Sequence, residues 1–120
     1  MFDPRSVAAA HGIAVDITDL GDWGAATLIS EYDPLARVIR INERALDDYR
    51  RGCGALSSCD TRTFIDRAIA HELYHYREAA GEVPRLANHR QREQAAEAYA
   101  RANVPVDARL DAFIKAKATT

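Results

Sequence analysis

Between residues 13 and 41 the apolar residues fall in three short segments typical of strands, whereas the residues that follow repeat them at helical spacing. Alternation over residues 13–17 predicts one strand, and residues 25–30 and 37–41 predict two more. Turn-forming residues at positions 32–36, with Pro34 among them, separate the second strand from the third. We therefore expect these two strands to form a hairpin.

Helix start and stop signals divide the rest of the sequence. A short helix is predicted from Asp3 as N-cap, through Pro4 at the first position, to Gly12. Four more helices are predicted. The first covers residues 43–51, after Asn42 as its cap and before Gly52, and the second is a long helix from Asp60 or Thr61 to Gly81. The third covers residues 89–102, and the last runs from Asp107 to Lys117. Residues 53–58 and 82–88 are predicted to be connections without regular structure.

The long helix separates its apolar residues from its histidines. One stripe at helical spacing is predicted to face the core, and it consists of Ile65, Ile69, Leu73, Tyr76 and Ala80. His71 and His75 lie on a different face of the same helix. The histidines are therefore not part of the stripe that builds the core.

The order of elements, one helix, three strands and then several helices, indicates an α+β fold. We expect a small three-stranded sheet with helices packed on one face, and a long central helix followed by another that folds back against it. With 120 residues and no repeat or linker, residues 1–120 are predicted to form a single domain.

Composition is that of an ordinary globular protein, with 48% hydrophobic and 28% charged residues. A formal net charge of -2 and the lack of a basic run argue against nucleic-acid binding. No stretch approaches the ~20 apolar residues of a membrane span, so a cytoplasmic protein is expected. Cys53 and Cys59 are then read as reduced thiols, with a local disulfide in an oxidising compartment as the alternative.

The most informative motif is HELYH, at residues 71–75. Histidines four residues apart lie on one helical face, so His71 and His75 are predicted to bind the same metal ion. Glu72 follows the first histidine at the position from which a carboxylate activates a water molecule at the metal without binding the ion itself. The pattern thus predicts a zinc hydrolase with Glu72 as the general base.

A catalytic zinc ion usually takes three protein ligands, so two histidines leave the site incomplete. The metzincin class would place glycine at position 78 and histidine at 81, but the chain has Glu78 and Gly81. The helix over 89–102 instead offers Glu93 and Glu97, one turn apart on one face.

The segment EQAAEAYA over residues 93–100 carries a family resemblance. Together with HELYH, it resembles the zinc-binding helix pair of the ImmA/IrrE-like metallopeptidases, within the gluzincin group. Residues 32–34 and 37–42 also resemble the hairpin of that family, and the likeness extends over roughly residues 1–103. The proline at 105 is all that remains of an apolar segment that often follows in the family.

The resemblance implies that His71, His75 and Glu93 bind Zn²⁺ and that Glu72 is the general base. Glu97 stands where the family has Asn or Asp, which leaves two interpretations open: it accepts a hydrogen bond from a ligand histidine, or it competes with Glu93 for the metal.

The resemblance also implies a zinc metalloendopeptidase that cleaves a protein or peptide substrate such as a transcriptional regulator. Either strand of the hairpin, 25–30 or 37–41, is a candidate to pair with an extended substrate. Two alternative functions are a non-catalytic zinc-containing binding or regulatory module and a zinc hydrolase of a non-peptide amide or ester.

Overall fold

A computed structural model describes residues 2–21, 28–53, 61–105 and 107–118. Its elements in chain order are α1 (Pro4–Ala10), β1 (Ala14–Thr18), β2 (Ser30–Asp33), β3 (Val38–Asn42), α2 (Glu43–Cys53), α3 (Thr61–Ala79), α4 (His89–Asn103) and α5 (Ala108–Ala118). The α+β class and the three-stranded sheet predicted from the sequence are confirmed. Residues 54–58 of the predicted loop, and Cys59 and the side chain of Cys53, lie outside the described part.

The sheet is mixed and has the strand order β1-β3-β2. β1 runs parallel to β3, and β2 pairs antiparallel with β3 as the predicted hairpin. The predicted boundaries of the second strand are wrong, because β2 begins at Ser30 and includes Tyr32 and Asp33. Asp33 serves both structures: its backbone pairs with Val38, while its side chain accepts hydrogen bonds from Leu35 and Ala36 in the turn. Residues 25–27 lie outside the described ranges.

The two faces of the sheet differ sharply. Ile39 and Ile41 of β3 are fully buried in the main core beneath the helices. On the opposite face, Arg40 forms ion pairs with Glu31 at 2.8 Å and Asp33 at 3.2 Å. Alternating side chains thus direct apolar groups towards the helices and charged groups away from them, as expected for helices packed on one face.

α3 lies at the centre of the helical layer and packs against α1, α4, β2 and β3. Within its predicted stripe, Ile69 and Leu73 are fully buried, and Ile65 and Tyr76 pack partly buried against the same core. Ala80 does not belong to the buried stripe, because α3 ends at Ala79 and Ala80 is exposed in the turn that follows.

Local capping explains most helix boundaries. Asp3, Asn88 and Asp107 each accept hydrogen bonds from backbone N–H groups in the first turn that follows. Gly81, with φ of 79°, lies in the turn that closes α3, because glycine adopts this left-handed conformation without strain. The end predicted at Gly52 is wrong: α2 continues to Cys53.

Asn42 has the predicted capping role, and it also holds the preceding segment. Its side-chain oxygen accepts hydrogen bonds from the backbone of Arg44 and Leu20, and its amide donates to the carbonyls of Gly21 and Leu28. A completely buried amide is stable here because its hydrogen-bonding capacity is used.

In the described part of the chain, no helix is both long and apolar enough to cross a bilayer.

Candidate metal centre

The candidate site lies between α3 and α4, which run antiparallel. His75 near the end of α3 meets Glu93 near the start of α4, whereas Arg67, two turns earlier on α3, meets Glu97. The segment over residues 82–88 allows this reversal. Antiparallel packing therefore brings together residues that are 18 to 30 positions apart in the sequence.

His71, His75 and Glu93 converge on one point. The ligand atom of each lies within 4.8 Å of the other two. Glu93 Oε2 is 2.7 Å from His75 Nε2 and 3.4 Å from His71 Nε2. The structure thus brings together the three residues that the sequence and the family resemblance assigned as metal ligands.

The donor set suits zinc, which binds imidazole nitrogen and carboxylate oxygen readily. Bonds of about 2.0–2.1 Å at tetrahedral angles hold two ligand atoms about 3.3–3.4 Å apart. The distance from His71 Nε2 to Glu93 Oε2 already has this value, and the His75–Glu93 pair would open by about 0.7 Å. The side chain of Glu93 is 42% exposed, which leaves it room for that movement.

A carboxylate holds the outward nitrogen of each histidine. Glu97 Oε2 lies 3.0 Å from His71 Nδ1, and Glu78 Oε1 lies 2.7 Å from His75 Nδ1. Such partners fix the imidazole orientation and leave Nε2 directed at the metal position. The contact of Glu97 with His71 Nδ1 is the geometry that the first interpretation of Glu97, as an acceptor for a ligand histidine, requires.

Sequence reasoning missed the partners that hold these carboxylates. Arg67 contacts Glu97, and Arg92 contacts Glu78 at 3.4 Å. The available signal was helical spacing: Arg67 lies four residues before His71, and Glu78 lies three residues after His75. The sequence offered no comparable signal for Ser30, the partner of Glu72.

Glu72 is a buried acid of the site, with 4% of its surface exposed. Ser30 of β2 donates a hydrogen bond of 2.6 Å to Glu72 Oε2, which also lies 3.9 Å from His71 Nε2. Burial raises the pKa of Glu72, against the opposing effects of the charge on His71 and the Ser30 hydrogen bond. A carboxyl group with a raised pKa at this position is suited to accept and return a proton.

The other acids make the site attractive to positive charge. Burial lowers the pKa of both histidines, but hydrogen bonds to carboxylates raise it by more. For His71 these partners are Glu93 and Glu97, and its pKa reaches about 10. For His75 they are Glu93 and Glu78. Burial raises the pKa of Glu93, but the contacts with both histidines outweigh burial and hold this pKa well below its usual range. The site therefore stabilises a cation, either protons on the imidazoles or a metal ion that replaces them.

An open cleft of about 380 Å³ lies beside this cluster. It is lined on one side by Ser30, Tyr32 and Pro34, and on the other by His75, His89 and Glu93. His89, the exposed first residue of α4, contributes to the wall of the cleft. Tyr99 packs against Tyr74 of α3, as expected for a residue between α3 and α4. The cleft volume falls within the usual range for small-ligand sites.

Within the described ranges, one of the two strands proposed to bind substrate has an edge that pairs with no other strand. β3 pairs on both sides, so residues 37–41 cannot receive another strand. β2 pairs on one side within the described ranges, and the N–H of Asn42 bonds to the carbonyl of Ile29. Because alternate residues bond across an antiparallel pair, the backbone groups of Ser30 and Tyr32 point away from β3, at the side that borders the cleft.

No protein-family model, curated protein or solved structure matches this chain. The resemblance to ImmA/IrrE-like metallopeptidases therefore stays a prediction from the motifs.

Proposed function

We propose that this protein is a zinc-dependent metallopeptidase of the gluzincin type, similar to the ImmA/IrrE-like enzymes. The observation that carries the proposal is the convergence of His71 Nε2, His75 Nε2 and a Glu93 oxygen within 4.8 Å, beside the buried carboxylate of Glu72. A structural zinc site would usually close the ion with four protein ligands. The described residues supply three ligands beside an open cleft, which favours a catalytic site instead.

Each residue of the site has a distinct task in peptide hydrolysis. A bound zinc ion supplies a Lewis acid and lowers the pKa of water from ~15.7 to about 7. Glu72 accepts a proton from the attacking water and returns it to the leaving amine. Ser30 keeps the reacting carboxylate in place, and Glu97 and Glu78 orient the two imidazoles.

The substrate we propose is an extended segment of a protein, such as a regulator in the cytoplasm. The outer edge of β2 supports this choice, because within the described ranges no strand pairs with the outward N–H and C=O groups of Ser30 and Tyr32. Backbone pairing requires an unfolded or loop segment and does not depend on side-chain identity. Specificity then comes from groups that line the cleft, including Arg85 and His89.

The test is Glu72→Gln in zinc-loaded protein, with cleavage of a library of unstructured fluorogenic peptides as the readout. We expect zinc affinity and the folded circular-dichroism spectrum to be unchanged, and turnover to fall at least 100-fold, within the ~10²–10⁴-fold contribution of general acid–base catalysis. Glu43→Gln makes the same chemical change at the exposed start of α2 and should leave cleavage intact.

Other outcomes would favour the alternatives. Zinc binding without hydrolysis of peptides, amides or esters by the unmodified protein would indicate a non-catalytic zinc module. Hydrolysis of small amides or esters but no peptide, lost in Glu72→Gln, would keep the mechanism and change the substrate class. Peptide cleavage that survives Glu72→Gln would refute the assigned base.

A further inference from the structure

Arg67 is a charged side chain in the interior of the protein, with 3% of its surface exposed. Buried arginine is rare unless carboxylates compensate its charge. Here two carboxylates from different helices do so. Glu97 Oε1 of α4 accepts hydrogen bonds from Nε at 2.8 Å and Nη2 at 2.5 Å, and Asp111 Oδ1 of α5 lies 2.7 Å from Nη1.

These contacts extend directly to the proposed metal ligand. Glu97 uses one oxygen for Arg67 and the other for His71 Nδ1, at 3.0 Å. The sequence of contacts is therefore Asp111, Arg67, Glu97 and His71, and it joins α5 to the metal centre through α3 and α4. A planar guanidinium with a fixed arrangement of donors restricts where the Glu97 carboxylate can lie.

We propose that Arg67 and Asp111 are positioning residues for the metal centre, so that α5 sets the orientation of His71 through Glu97. The inference rests on the proposed metal-binding function. With Asp111 present, the guanidinium is shared between two acids on opposite sides. Without that charge, Glu97 is the one close carboxylate among the described residues that balances Arg67, and the stronger attraction draws Glu97 away from His71 Nδ1.

The second histidine provides an internal contrast. His75 is held by Glu78, which in turn contacts Arg92 of α4, so neither Arg67 nor Asp111 takes part. Loss of Asp111 should therefore disturb one ligand of three. The expected result is a weaker, altered site and not its disappearance.

The experiment measures Zn²⁺ affinity by competition with a chromophoric chelator for Asp111→Asn, Glu97→Gln and the double variant. Partners that orient a ligand typically contribute about 10–100-fold in metal affinity, so we expect Glu97→Gln to lie in that range and Asp111→Asn at its lower end. Because Asp111 acts through Glu97, adding Asp111→Asn to Glu97→Gln should lower the Zn²⁺ affinity by less than about a further twofold. Lys117→Gln is the matched control, since it removes the 3.2 Å ion pair between α5 and Asp48. Among the described contacts, neither Lys117 nor Asp48 touches the site.

The visible spectrum of the Co²⁺-loaded protein at saturation separates positioning from general destabilisation. Altered absorption bands in Asp111→Asn, with the wild-type spectrum in Lys117→Gln, would support the proposal, because saturation removes differences in affinity. Wild-type affinity and spectrum in Asp111→Asn, or losses that multiply in the double variant, would overturn it. Failure of the unmodified protein to bind Zn²⁺ would instead refute the proposed function.

Discussion

The choice between Glu93 and Glu97 as metal ligand makes the sharpest prediction. Both residues lie on α4 and both face His71, but Glu93 contacts the Nε2 atoms of two histidines, whereas Glu97 contacts one Nδ1. Glu93→Gln and Glu97→Gln remove the same charge from nearly the same place. A purely electrostatic effect would weaken zinc binding equally in the two variants, whereas direct ligation by Glu93 would not.

The size of the difference follows from linkage. Zinc at 100 times its Kd stabilises a folded protein by about 2.7 kcal/mol. For 120 residues the entropy of unfolding is about 250 cal/mol/K, so 1 kcal/mol corresponds to about 4 °C and zinc should raise Tm by about 11 °C. Loss of a direct ligand should weaken zinc binding by more than the ~100-fold upper limit for an orienting group. At the same zinc concentration, the stabilisation that remains is at most about 0.4 kcal/mol, or about 2 °C in Tm.

The assay is thermal unfolding followed by circular dichroism, with and without zinc at that one fixed concentration. Glu97→Gln, weakened about tenfold, should retain about 1.4 kcal/mol of zinc stabilisation, or about 6 °C. The zinc-induced rise in Tm should therefore be largest in the wild type, smaller in Glu97→Gln and smallest in Glu93→Gln. A shift in Glu93→Gln close to the wild-type value, or the reverse order of the two variants, would refute the ligand assignment.

Three further predictions concern stability. In chelator-treated protein, burial lowers the pKa of His71, but the hydrogen bonds to Glu93 and Glu97 outweigh burial and raise this pKa from 6.5 to about 10. The stabilising charge on His71 is therefore fully present below about pH 6.5 and is lost as the pH rises through about 10. The urea midpoint of this metal-free form should fall between about pH 7 and 10, and a flat profile would contradict the reasoning. Asn88→Ala removes the cap of α4 and should lower the free energy of unfolding by about 1 kcal/mol in urea titration; no loss would show that the cap is not stabilising. Leu110→Ala, at a fully buried position of α5, should cost about 2–5 kcal/mol, whereas Leu35→Ala, 95% exposed, should stay within about 0.5 kcal/mol; equal effects would contradict the assigned core.

The fold was predictable where the signal was local. Caps such as Asp3 and Asp107 and the left-handed Gly81 act within one turn of chain, so their residues mark the helix ends directly. The second strand was misplaced because Asp33 is typical of turns, yet its backbone belongs to β2. Whether such a residue also pairs across a sheet depends on its neighbour in space.

The sequence by itself determined that His71, Glu72 and His75 share one region of a helix, because helical geometry fixes the direction of side chains four residues apart. It also named Glu93 and Glu97 as candidate acids, but it did not assign them to particular nitrogens. The antiparallel packing of α3 and α4 decided that: it placed Glu93 at the two Nε2 atoms and Glu97 at a single Nδ1. The enclosure of Arg67 also required tertiary structure, since its two carboxylates come from α4 and α5, which are distant from Arg67 along the chain.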